Sequence, residues 1–250
     1  MMFDYNIFFA KYEALLAEAD GVFGKVAKQC PGQVNCKVGC SDCCYAMFDL
    51  SFIEALYLNY HFYRTIQGER RVRIMDRADA ADRKAYRFKR KIFKDSEAGR
   101  STAEILSEVA AVRLRCPLLD EEGRCELYVY RPVNCRLYGV PMAISGKAHT
   151  CGLSGFIPGI SYPTVNVELL QNRLVVISQE DLVASLNTCN YMMGNMFVPV
   201  SMALLTTYDK EYLGIYESKG CLGRGSLTLD GEISDEVAAL GGADVIFWAG

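Results

Sequence analysis

"CKVGCSDCCYAMFDLSFIEA", residues 36–55, places four cysteines in nine positions and closes that run with an adjacent pair. Cys40 and Cys43 have two residues between them, a spacing that lets two thiolates converge on one metal ion, as in zinc and iron–sulfur sites. Cys36 and Cys40 have three between, and Gly39 gives that stretch the freedom to turn. On a helical backbone neighbouring side chains diverge by roughly 100°. If Cys43 completes a chelate with Cys40, Cys44 is therefore expected to serve a second ion or another face of one cluster. Ser51-Phe52-Ile53-Glu54 then has the form of a capping box, predicting a helix with Phe52, Leu56, Tyr60 and Tyr63 near one face.

The chain that carries this run has 250 residues, half of them hydrophobic and 23% charged, so it can bury a core. A net charge of −3 gives no global attraction to nucleic acid or to an anionic membrane, and neither is expected as a partner. The N-terminus carries Asp4, Lys11, Glu13 and Glu18 and lacks a basic n-region, so no signal peptide is expected. No run of about 18 apolar residues predicts a membrane span. These features predict a cytoplasmic protein with reduced thiols. Eleven cysteines are then too many, and too clustered, to act only as small buried hydrophobes.

Outside the cysteines the pattern is mostly helical. Tyr5, Phe8, Phe9, Tyr12, Leu15, Leu16, Ala19 and Phe23 recur at helical spacing over residues 3–29, and Cys30-Pro31-Gly32 ends the run. Residues 69–94 are strongly basic with interleaved Tyr86, Phe88 and Phe93, and are expected to form a solvated helix rather than a nucleic-acid interface. Ser101-Thr102-Ala103-Glu104 opens another capped helix, expected to end near Arg115. A hairpin is predicted around Ser145-Gly146, helix returns over 162–187 with 174–177 open to strand, and Asp230-Gly231 suggests a second hairpin. The expected fold is mainly α with small β hairpins. One domain spanning 1–250 is organised around a multi-cysteine metal site, with a motif core at 36–151 and a C-terminal extension at 152–250.

The second half supplies Cys116, Cys125, Cys135 and Cys151 from turn-rich segments. With Cys36, Cys40, Cys43 and Cys44 these make eight candidate ligands, enough for two four-cysteine sites. Arg131 and Arg136 flank Cys135 and are placed to offset the thiolate charge around a bound cofactor. Cys30, Cys189 and Cys221 lack close partners and are expected to be buried or free thiols. His149, near Cys151, is taken as a surface hairpin residue, and His61 as a packed one. "GCLGRGS", 220–226, has the wrong spacing for a dinucleotide loop.

"CKVGCSDCC … CPLLDEEGRCELYVYRPVNCRLYGVP … C" resembles the YkgJ-type cysteine-cluster family, described as a zinc- or iron-chelating domain, over roughly residues 36–151. A more distant likeness is to the flagellin lysine N-methylases, which share a CC-containing motif and a later stretch like "CPLLDEEGRC". The spacing before the CC pair is shorter here than in those enzymes, as is the chain. The first resemblance implies metal binding by Cys36, Cys40, Cys43, Cys44, Cys116, Cys125, Cys135 and Cys151; the second implies an iron–sulfur cluster. An iron–sulfur centre is preferred over zinc. Three functions follow as expectations: a metal-binding module with a redox or partner role, an iron–sulfur enzyme such as a protein methyltransferase, or metal sequestration or delivery. The partners implied are metal ions and a protein substrate or partner. Tyr128 and Tyr138, with the two arginines, are candidates to line a pocket beside the metal.

Overall fold

A computed structural model describes residues 4–37, 39–144, 146–186 and 188–215. The hairpin expected at Asp230-Gly231, the glycine-rich 220–226 stretch and Cys221 lie outside these residues. What is described is mainly helical with small sheets.

Helix α1, Asn6–Gln29, buries Phe8, Phe9, Tyr12, Leu15, Leu16, Ala19 and Val26 along one stripe. Gly21 and Gly24 do not interrupt it, because that stripe stays packed. A 3₁₀ turn, Asp42–Tyr45, carries the adjacent cysteines and leads into strand β1, Asp49–Ser51. The capping box forms as predicted: the Ser51 N–H and hydroxyl both donate to Glu54 Oε2, at 3.0 and 2.8 Å. Helix α2, Phe52–Thr65, follows it.

Glu54 lies only 3% exposed and also joins elements far apart in sequence. Its Oε1 accepts from the Tyr12 hydroxyl of α1 at 3.4 Å and from Val133 N at 3.2 Å. Burial pushes its carboxyl above the ordinary value, although these donors oppose the shift.

Helix α3, Gly68–Glu97, is the basic segment. Its buried stripe is made of Ile74, Ala78 and Ala85, mostly small residues that allow a close approach. Its cations are largely matched: Arg70 and Arg77 pair with Glu126, Lys89 with Asp49 at 2.5 Å, and Lys91 with Glu108. A balanced, solvated helix is what the sequence predicts there.

Helix α4, Thr102–Ala111, stops four residues short of the expected Arg115. The reason is a competing partner. Ala46 and Arg113 form an antiparallel bridge, Leu114 N donates to Tyr45 O at 2.9 Å and Cys116 N to Cys44 O at 2.7 Å. Backbone pairing thus replaces the last helical turn and sets Cys116 beside Cys44. A 3₁₀ turn at Tyr128–Tyr130 precedes the short helix α5, Val133–Leu137, which carries Cys135 and packs on α1.

Strands β2, Met142–Ile144, and β3, Lys147–His149, form the predicted hairpin, turning at Gly146 with φ +72°. Strand β4, Val165–Asn166, adds parallel to β2. Helix α6, Val167–Val175, continues as a π-helical segment, Val176–Val183, so residues 174–177 are helix and not strand. Strand β5, Phe197–Pro199, pairs antiparallel with β1, and helix α7, Val200–Leu205, packs on α3. No helix among the described residues is long and apolar enough to cross a membrane.

Candidate metal centre

Two local structures bring the sulfurs together. The bridge between 44–46 and 113–116 is the first. The second is a tight loop after Cys116, where Leu119 and Cys125 form an antiparallel bridge and the chain turns at Gly123, φ +74°. Glu126 N donates to Leu118 O at 2.8 Å, which closes the loop. Arg77 reaches across from α3 to clamp it, donating from Nε to Pro117 O at 2.9 Å. The positions of Cys116 and Cys125 are therefore fixed from both sides.

The result is a cavity of about 70 Å³ lined by Cys43, Cys44, Cys116, Cys125 and Cys135, with Arg131 at its wall. The rest of the lining is largely apolar and includes Ala81 and Ala85 of α3. Both members of the adjacent pair face this one cavity. The expectation that Cys43 turns to Cys40 while Cys44 turns away is corrected here: Cys43 is hydrogen-bonded to Cys135 and to Cys44.

Those hydrogen bonds organise the charge. The thiols of Cys135 and Cys44 stabilise a thiolate at Cys43, whose pKa falls to about 3 against the cost of burial. Hydrogen bonding to Cys43 and burial push Cys135 well up, and the same two causes raise Cys44. Burial takes Cys116 to about 12 and Cys125 to about 11. Positive charge works the other way: Arg131 lowers Cys43 and Cys125, and Arg77 lowers Cys116.

The remaining three candidates gather elsewhere. The 151–155 turn is tied to 33–35 by Gly155 N to Gln33 O at 2.7 Å and by Asn35 Nδ2 to Leu153 O at 2.7 Å. Gly155 approaches so closely that an added Cβ would lie 2.9 Å from Gly32 O. That connection sets Cys151 near Cys36 and Cys40, and Cys36 is hydrogen-bonded to Cys40. The Cys36 sulfur packs on Gly139, where a Cβ would collide with it. Cys36 is exposed, Cys40 half-buried and Cys151 buried. Burial raises Cys36 to about 12 and Cys151 to about 11.

Arg131 and Arg136 part company. Arg131 stacks on the exposed Tyr128 ring at 4.1 Å while its charge reaches the cavity sulfurs. Arg136 is committed elsewhere, donating to Arg131 O at 3.0 Å and Val129 O at 2.6 Å and pairing with Asp20 of α1 at 2.5 Å. It braces the chain before Cys135 rather than facing sulfur. Tyr138 sits with Arg113 and Asp42 beside Cys151.

His61 is stacked on Tyr130 at 3.8 Å, with burial lowering its pKa, and His149 is half-buried on β3. Cys30 is buried, as expected. Cys189 is disulfide-bonded, which corrects the free thiol expected there. The sequence missed Asp42, Arg77 and Gly139, which carry no cysteine-like signal and matter only through long-range placement.

Soft sulfur donors around a small, largely apolar cavity fit a thiophilic metal. Among the described residues, however, no three His, Cys, Asp or Glu side chains converge closely enough to hold an ion as they stand. The sulfurs are gathered but a coordination sphere is not formed.

No curated protein and no solved structure matches the chain. One family model does, over residues 35–152, a little under half of the chain: "CxxCxxCC: Putative zinc- or iron-chelating domain". The stretch that bears every gathered cysteine, from Cys36 to Cys151, thus lies within the match to this family model.

Proposed function

We propose that the protein binds its metal through cysteine alone in the buried cavity, as an iron–sulfur or zinc centre, with iron–sulfur the form to test first. The observation that carries this reading is the convergence of Cys43, Cys44, Cys116, Cys125 and Cys135 on one cavity beside Arg131. Four thiolates around a divalent ion, or around a cubane core of charge +2, leave a net −2 by simple addition. Arg131 lies where it offsets part of that charge. A bound cation must displace the protons of the raised thiols, and its own charge stabilises the resulting thiolates, so binding weakens as pH falls.

The ligands come from 43–44, 116–125 and 135, so the centre ties together segments about 70 residues apart. Its binding energy then adds to folding energy. A redox or partner role for the centre is the function this chemistry supports.

The test is elemental and acid-labile sulfide analysis, with an absorption spectrum, on protein purified without oxygen. Iron with sulfide and broad visible absorption is expected. Zinc at fixed ratio, without sulfide or colour, would replace iron–sulfur by a zinc centre. A colourless protein holding neither metal would overturn the reading.

A further inference from the structure

The outer face of α3 carries a pattern of charge and aromatic rings that neither the core nor the cysteine cavity uses. Between residues 83 and 94 it exposes Arg83, Lys84, Arg87, Arg90, Lys91 and Lys94, in a chain whose net charge is −3. Arg83, Arg87, Arg90 and Lys94 recur at four- and three-residue intervals and so share one face. Tyr86 and Phe93, seven residues apart and each 63% exposed, line one edge of that face on either side of Arg90. An open cleft of about 420 Å³ lies along it, lined by Tyr86, Arg87, Arg90, Lys91, Lys94 and Asp95.

The ion pairs separate this face from the rest of the helix. Arg70 and Arg77 pair with Glu126, and Lys89 with Asp49, which holds α3 to the rest of the chain. On the outer face Arg83 pairs with Asp79 of its own helix, and Lys91 with Asp95 and Glu108. Lys84, Arg87, Arg90 and Lys94 make no ion pair among the described residues. Solvation alone would satisfy those four cations, but it does nothing for two exposed rings set among them. Tyr, Phe and Arg together are the side chains that protein interfaces concentrate.

The size of the face selects the occupant. From Arg83 to Lys94 it is about 16 Å long, at about 1.5 Å per residue. Exposed carboxylates on the same side bound it, Asp76 and Asp79 before it and Glu97 after it. A nucleic-acid strand continues past both ends and meets like charge there. An acidic helix of about three turns fits between those ends.

We propose that this face docks an acidic amphipathic helix of a partner protein. Its carboxylates lie against Arg87, Arg90 and Lys94, and two apolar side chains seven residues apart cover Tyr86 and Phe93. Opposite charge steers the approach, and burial of the rings holds the complex. Ala81 and Ala85, on the opposite side of the same turns, line the sulfur cavity. The docked helix therefore stands about one helix diameter, roughly 10 Å, from that cavity. The proposal rests on surface chemistry and is independent of which metal the cysteines hold.

The experiment is fluorescence anisotropy on the full chain, purified without oxygen. The probe is a labelled synthetic helix of about 14 residues, glutamate-rich with two leucines seven apart. Wild type should bind it at least about tenfold more tightly than an isomer of equal composition with the leucines on opposite faces, or than a thymidine oligonucleotide. Arg87→Glu with Arg90→Glu should weaken binding at least about tenfold, and Tyr86→Ala with Phe93→Ala at least about fivefold. Lys25→Glu with Lys28→Glu, an equal charge change at exposed positions of α1, should bind as wild type does. Far-ultraviolet circular dichroism checks that each variant is folded.

Absence of peptide binding by wild type would overturn the proposal. So would an oligonucleotide or the leucine isomer bound as tightly as the probe, or equal weakening by the α1 pair. Unchanged affinity in Tyr86→Ala with Phe93→Ala would overturn it too, reducing the face to unspecific charge. The isomer and oligonucleotide comparisons use wild type only, so they stand even where a variant misfolds.

Discussion

The cavity set and the outer set of cysteines both draw on the same short run, yet they are held in place by different means. A 3₁₀ turn advances about 120° per residue. Within one such turn Asp42 faces outward to Cys151, while Cys43 and Cys44 face inward to Cys116, Cys125 and Cys135. The inward set rests on a backbone bridge, a closed loop and α5 packed on α1. The outward set rests on a stretch without described helix or strand and a few cross-links to 151–155. Sulfur content alone does not make two such sites equivalent. What differs is how many other elements must move to lose them.

The sharpest way to break this comparison is to remove one sulfur from each. Cys125→Ser should empty the cavity and lower the melting temperature by about 10 °C or more, because metal energy there is folding energy. Cys36→Ser should cost less than about 3 °C and leave the buried metal bound. Calorimetry with metal analysis checks both, and equal losses would merge the two regions into one centre.

The next effect concerns the scaffold behind the cavity. Glu54→Ala leaves the Ser51, Tyr12 and Val133 donors without their acceptor in a buried place, at about 3 kcal/mol by denaturant unfolding. The same residue gives a pH signature. Burial raises its folded-state pKa, so the folded protein holds this proton more tightly than the unfolded chain. The resulting stability is fully present below the unfolded value of about 4.3 and is lost as pH rises through the raised folded value. Glu54→Gln should therefore flatten the decline of stability with rising pH that wild type shows above about pH 4. Identical pH profiles would refute this.

Smaller again is Arg77→Met. It removes the donor to Pro117 O and one cation from Glu126, and should cost about 1–2 kcal/mol. It should also speed metal release from the cavity without touching the outer set. The smallest effect is expected of Cys30→Ala, which trims a buried thiol of the main core. Stability should fall by about 1 kcal/mol, with metal content unchanged. Lost metal there would show that the ligand set is wrong.

Much of the scaffold is legible in the residues themselves. Capping residues and helical spacing mark α1 to α3, the start of α4 and the 142–149 hairpin, because these signals act over three or four residues. The end of α4 is not legible. Residues 112–115 are apolar and basic enough to continue a helix, and only a strand-like partner about 70 residues away diverts them. Arg136 illustrates the same limit. Next to Cys135 in sequence, it points instead to Asp20, since a long side chain answers to its nearest charge in space.

The sequence by itself determined which thiols could matter. Cysteine clustering and chelate spacing are local chemistry, and the family match rests on them. Tertiary structure alone decided how those thiols divide, five around one cavity and three in an outer set with an aspartate. That division depends on a single turn's angular step and on backbone contacts between segments about 70 to 120 residues apart. Neither quantity leaves a periodic trace in the sequence.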